Sequence, residues 1–293
     1  MVKNSIFFCI SNYNNDVRWL TSLGYDYVIF NKTHSGGPVD NNGLKKAPPS
    51  KLEYIKDRQK IIKSSINGYN IHDYLKFIID NYENLPSRIA FIKGNVINRH
   101  VSKNFFISCL NKIGFVQIND NREHHNNFSL TSASALLSLD NNYFEKNNSF
   151  YLNNKLLTKK YFYSSSQFLK FCFNINSYHL YIGFPPGGCF IIDRPDITKY
   201  PKIFYQNLLT FVSYSRLPGE AHLLERLLPS IFISDLSISK KMKTKLKERD
   251  LADLQKEVIE NSKFHKLLIK KCLFFFSKIL GLMFIKITKL SNY

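Results

Sequence analysis

Four short blocks of this 293-residue chain bring together residue types able to act on a ligand. Asn67-Gly68-Tyr69-Asn70 joins two side-chain amides to a glycine that permits close backbone approach, just before an expected helix whose N-terminus favours phosphate. The same residues also suffice for a plain helix cap. Phe91-Ile92-Lys93-Gly94-Asn95, with Arg99-His100 after it, sets a lysine at a strand end. Lys93 can meet a diphosphate with Arg99 or His100 adding charge, or the block is a solvated polar loop. From Gly187 to Asp196, Asp193 ends a strand and can be a base or a ligand group, while Asp196 suits the N-cap of the next helix. From Pro218 to Arg226, Glu220 projects near an apolar helical face, where burial raises proton affinity and suits a general base. Glu225 lies at the edge of that face, with His222 and Arg226 outward; Glu225-Arg226 equally makes a structural salt bridge.

Other chemistries lose their simplest readings. Gly-x-Gly-x-x-Gly, the Walker loop, His-Glu-x-x-His and Gly-x-Ser-x-Gly are all missing, against a dinucleotide-dependent dehydrogenase, P-loop kinase, zinc peptidase or serine hydrolase. There is no Asp-x-Asp, so a divalent metal cannot be assigned by motif. Glu123-His124-His125 lacks a third spaced ligand. The five cysteines, at 9, 109, 172, 189 and 272, form no Cys-x-x-Cys, which points to a reducing compartment and a cytoplasmic protein.

The elements that must hold these blocks alternate. Ser5–Ser11 reads as a buried strand, Asp16–Leu23 as a short helix and Tyr27–Asn31 as a strand, followed by a Gly/Pro-rich loop from Ser35 to Ser50. Ile61–Ile66 fits a strand, in surroundings that also suit a helix. Ile71, Tyr74, Leu75, Ile78, Ile79 and Tyr82 make a helical stripe, with Asn70 and Asp73 as a cap-like pair and Pro86 beyond its end. Arg88–Lys93 is a strand. The alternation predicts an α/β fold, a mostly parallel sheet flanked by helices, with a C-terminal helical extension. Ser177–Gly183 and Gly188–Asp193 read as a hairpin about Pro185-Pro186-Gly187, and Asp196–Tyr214 and Glu220–Phe232 as helices, the second burying Leu223, Leu224, Leu227, Leu228, Ile231 and Phe232. The stretch from about Asp120 to Asn176 gives no clear pattern.

Charge divides unevenly. Lys and Arg total 41 against 22 Asp and Glu, a net of +19, and residues 240–293 alone carry 14 against 5. Part of the remaining excess follows a composition with 30 Asn and 6 Ala. Residues 1–235 are expected to form the α/β domain and 236–293 a basic amphipathic helical tail. Within the tail, Lys240–Ser262 reads as a charged helix, and Leu273–Ile287 is too short to span a bilayer of about 30 Å. The tail fits either an anionic membrane interface, lysines outward and Phe274–Phe276, Leu280, Met283 and Phe284 inward, or a helix docked on the domain's own core.

Taken together, Ser11 to Asp16 with Trp19, Tyr27 to Lys32, Gly68-Tyr69-Asn70, Asp80 to Pro86, Phe91 to Gly94, Gly187 to Phe190, and Glu225-Arg226 with Ile231-Phe232 resemble a domain-of-unknown-function family. That family looks distantly like nucleotide-sugar glycosyltransferases. The resemblance implies a GT-A-like, Rossmann-related scaffold and transfer of a sugar to a glycan or lipid-linked acceptor, in surface polysaccharide synthesis at the inner face of the cytoplasmic membrane. On it, a nucleotide-sugar diphosphate would sit near Asn12, Lys32, Asn67, Gly68 and Lys93, with Asn70 and Arg99 contributing, and Asp193, Glu220 or Glu225 would be the base. The missing Asp-x-Asp departs from metal-dependent members. The alternative is a non-enzymatic basic module, a nucleic-acid binder or a membrane-anchored adaptor; the aromatics at core-periodic positions argue against nucleic acid.

Overall fold

The computed structural model of the protein describes residues 6–13, 15–32, 60–120, 135–137, 143–146, 157–176, 181–185 and 187–261. The Gly/Pro-rich loop, His124-His125 and the tail beyond 261 lie outside them.

A six-stranded sheet forms the centre. Its strands are β1 (Ile6–Asn12), β2 (Tyr27–Lys32), β3 (Ile61–Ser64), β4 (Arg88–Lys93), β5 (Val116–Gln117) and β9 (Phe190–Asp193), in the order β3-β2-β1-β4-β9-β5. The first four run parallel and β9 runs antiparallel to both β4 and β5. Residues 61–64 are strand, paired with β2. A second sheet joins β6 (Ala135–Leu137), β7 (Tyr143–Lys146) and β8 (Tyr181–Gly183).

The expected hairpin is therefore corrected: β8 pairs with β7 and β9 with β4, so the chain passes from one sheet to the other between Gly183 and Phe190. Gly187 (φ 92°) and Gly188 (φ 64°) are both left-handed, a bend that glycine makes without a Cβ penalty.

Strand alternation sorts the core into two layers. Cys9, Ile89 and Phe91 face α2 (Tyr69–Asp80), α5 (Ser165–Phe173), α7 (Lys202–Val212) and α8 (Gly219–Ile233). Phe8, Ile10, Ala90 and Ile92 face α1 (Arg18–Thr21), α3 (Val96–Arg99) and α4 (Lys103–Leu110). Of the predicted stripe, Ile71, Tyr74, Leu75 and Ile78 of α2 are buried, while Ile79 and Tyr82, the latter just past the end of α2, are half-buried against the same layer; all six apolar positions of α8 are buried. The helix expected over Asp196–Tyr214 is two, α6 (Arg194–Thr198) and α7, divided at Tyr200-Pro201 because proline supplies no N–H to continue the first. Asp196 lies inside the first turn of α6, and Asp193 holds the cap position. In place of one helix over 240–262 there is a 3-10 turn, Lys240–Lys243, then α9 over 248–261. Met242, Leu254 and Val258 are buried, the first two within the α2/α7/α8 layer.

Candidate functional site

Reading outward from the sheet, the carboxyl ends of β1 to β4 carry most of the polar residues singled out by sequence. The order of the parallel strands reverses between β1 and β4, and in open α/β sheets that reversal opens a crevice for ligands. A cleft of about 430 Å³ lies there, lined by Asn15, Asp16 and Trp19 after β1, by Gly94, Asn95 and Ile97 after β4, and by Lys103 of α4. The Trp19 indole N–H donates to the Gly94 carbonyl at 3.2 Å and ties the two loops together. Asn12 lies behind the β1 loop: it is fully buried, donates to Asn31 Oδ1 and accepts from the Asn15 N–H. A Cβ on Gly94 would run into the Asn12 amide, so glycine is the residue that fits against it.

On the opposite face of the sheet, at the same edge, Lys93 points to Glu225 of α8, with 3.6 Å between Nζ and Oε1. His222 Nδ1 (3.3 Å) and Arg226 (3.9 Å) flank the other carboxylate oxygen. Burial alone would raise the proton affinity of Glu225, but Lys93, then His222 and Arg226, hold it well below the ordinary carboxylate range. Tyr69 packs edge-on against the His222 ring, and its hydroxyl is pushed up to about 12 by burial and by Glu225. Arg226, expected to point outward, is buried, its guanidinium 4.6 Å from the Phe184 ring centre. Gly188 leaves just enough room for Asn70 and Glu225: a Cβ there would approach them at 3.1 and 3.2 Å.

Several expected site residues serve the scaffold. Lys32 is buried and donates to Asp73 (3.0 Å) and to the Ser65 carbonyl (2.6 Å). Asp73 also accepts from Ser11 and Ser64, pinning α2 to the ends of β1, β2 and β3. Burial lowers the Lys32 pKa against the pull of Asp73. Asn70 and Asp73 do not cap α2; Gly68 holds that position at φ 70°, and Asn70 donates to the Gly187 carbonyl. Asn67 donates to the Ser213 carbonyl, and a Cβ on Gly68 would meet the Val212 carbonyl oxygen at 2.7 Å. These two residues fix the end of α7 against the start of α2. Arg99 is exposed at the end of α3.

Two of the three carboxylates named as a base lie elsewhere. Asp193 opposes Arg88 across the β4–β9 pair, at the amino end of β4, and binds its guanidinium at 2.7 Å. Glu220 is fully buried and accepts from the backbone N–H groups of Lys160 (2.8 Å), Tyr161 (2.6 Å) and Phe162 (3.2 Å) and from the Tyr214 hydroxyl. Burial raises its pKa in the direction expected, yet every donor around it belongs to the fold. The structure thus brings together Asn70, Lys93 and Glu225, leaves Asn12 on the other face of the sheet beside the cleft, and sets Asp193 and Glu220 apart. Sequence reasoning did not select Asn15, Asp16, Asn95 and Lys103 as site residues, although all but Lys103 directly follow β1 or β4. Among the described residues, no group of three His, Cys, Asp or Glu is placed to hold a metal ion.

Sheet order and cleft define a mixed α/β protein with a mostly parallel six-stranded sheet, helices on both faces and a cleft at the strand reversal. The chain belongs to the DUF3431 family, described as a protein of unknown function, which it matches over residues 46–244. The matched segment takes in Lys93, Gly94 and the whole of α8. No curated protein matches the chain.

Proposed function

We propose that the protein is a glycosyltransferase-like enzyme, taking a sugar from a nucleotide-sugar donor to a hydroxyl of a glycan or lipid-linked acceptor. The observation that carries this reading is the cleft at the β1/β4 reversal, of a size usual for small-molecule sites, about 300–1,000 Å³. Its walls offer amides (Asn15, Asn95), a carboxylate (Asp16), an indole (Trp19) and an ammonium (Lys103), groups that suit base, ribose and diphosphate recognition.

In the transfer, the acceptor oxygen attacks the anomeric carbon, the bond to the diphosphate oxygen breaks, and the acceptor proton passes to a base. We assign the base to Glu225, which stands at the same sheet edge on the other face from the cleft, within reach of Lys93. While it is paired with Lys93 it is ionised and a poor base. When Lys93 turns to the leaving diphosphate, the strongest of the charges holding Glu225 ionised departs, and burial then raises its proton affinity. Donor binding arms the base.

The acceptor class fits a protein working at the cytoplasmic face of a membrane, with the basic residues 262–293 at the lipid surface. No helix among the described residues is long and apolar enough to cross a bilayer. The test is a panel of nucleotide sugars assayed for binding by melting shift and for hydrolysis and transfer. A donor held at a hundred times its Kd stabilises by about 2.7 kcal/mol. Silence across the whole panel would end the enzyme reading in favour of a binding module.

A further inference from the structure

Residues 240–247 hold five lysines and no carboxylate. The side chains of Lys240, Lys241, Lys243, Lys245 and Lys247 are all exposed, while Met242 is buried and Leu246 packs on the core. The strip is held in place by Asn207 of α7, which donates to the carbonyls of Met242 (3.4 Å) and Thr244 (2.8 Å) and accepts from the Leu246 N–H (3.1 Å). It is a fixed basic surface on the folded domain.

All five carboxylates of residues 240–293 fall within 248–260, on α9. Residues 262–293 then carry seven lysines, no carboxylate and the apolar run Leu273–Phe276. Positive charge is therefore concentrated in two blocks on either side of an acidic helix, whose Asp250 pairs with Lys241 of the first block at 3.2 Å. Attachment of an unlipidated protein to a bilayer strengthens with the apolar area it buries and, as a second signal, with electrostatic attraction to anionic headgroups.

We infer that the 240–247 strip is an anionic-lipid docking surface that seats the folded domain on the bilayer as the second signal beside the apolar tail. Charge complementarity, and the apolar run that follows in the same chain, favour lipid over nucleic acid. The inference does not depend on the chemistry at the cleft, and its test uses no sugar donor.

The test is co-sedimentation of the full chain with phosphatidylcholine vesicles, with and without phosphatidylserine. Lysine near an anionic surface contributes about fivefold in partitioning, so K243Q/K245Q/K247Q is expected to lower binding to the serine-lipid vesicles roughly a hundredfold. K243R/K245R/K247R, which keeps the charge, should bind like wild type, and high salt should weaken wild type more than the Gln variant. Unchanged melting of both variants confirms that they fold. Equal binding of the Gln variant and wild type overturns the inference, as does equal wild-type binding to neutral vesicles. Preferential capture of a competing oligonucleotide at the same salt overturns it in favour of a nucleic-acid surface.

Discussion

Glu220 and Glu225 stand on the same helix and meet opposite surroundings. Glu225 has its proton affinity depressed by Lys93, His222 and Arg226, so its contribution to stability is present above the ordinary carboxylate pKa and lost as pH falls toward the folded value. Between about pH 4.3 and pH 2, wild type should therefore lose stability faster than Glu225→Gln, and urea melts across that range should show the two converging. The same variant should abolish sugar transfer while leaving donor binding, measured by melting shift, largely intact. Glu220→Ala leaves three backbone N–H groups and the Tyr214 hydroxyl without their acceptor and should cost about 3 kcal/mol in the same melts. Leucine spacing put Glu220 near the core side from sequence. That its partners would be backbone groups at 160–162 had no local signal, since they come from a distant part of the chain. Asp73 was likewise hidden: an aspartate beside a helix start reads as a cap until β1, β2 and β3 bring Ser11, Lys32 and Ser64 around it.

Two glycines show how closely the elements pack around the sheet's carboxyl edge. Gly94 sits against the buried Asn12 amide, and Gly94→Ala would push Asn12 from under the β1 loop. The expected result is a loss of about 2 kcal/mol in stability, as for other overpacked sites, together with loss of donor binding. Gly68→Ala combines a left-handed φ with contact to the Val212 carbonyl oxygen, so it should loosen α2 from α7 and lower stability without altering the cleft. Strand and helix periodicity made β1, β2, β4, α2 and α8 legible within a residue or two. The hairpin reading failed because Pro185 to Gly188 carries the same turn chemistry whether the chain doubles back or changes sheets. The cleft residues were within reach of the rule that open sheets bind ligands beyond their strand ends, but Asn15, Asp16 and Asn95 look like ordinary loop polarity until β1 and β4 are known to be neighbours.

As a whole, the folded unit extends past the boundary expected at 235, since Met242, Leu254 and Val258 bury their side chains. Ending the chain at 235 instead of 261 exposes the surfaces these residues cover. With each of the three contributing about 1.5–3 kcal/mol, a loss of at least about 5 kcal/mol is expected, read as a melting temperature lower by roughly 10 °C or more. The net charge of +19 and its concentration after residue 240 could be read from composition, but that Lys240 to Lys247 form an exposed strip clamped by Asn207 required the fold. The antiparallel strand β9 also imposes an order of events on a chain being synthesised. β1 to β4 can pair once residue 93 has emerged, whereas β5 at 116–117 finds its neighbour in the sheet at 190–193. A nascent chain halted between those points therefore holds β5 unpaired, and the interval from 118 to 189 is a window in which a chaperone, or a neighbouring nascent chain, has access to an unfinished sheet edge.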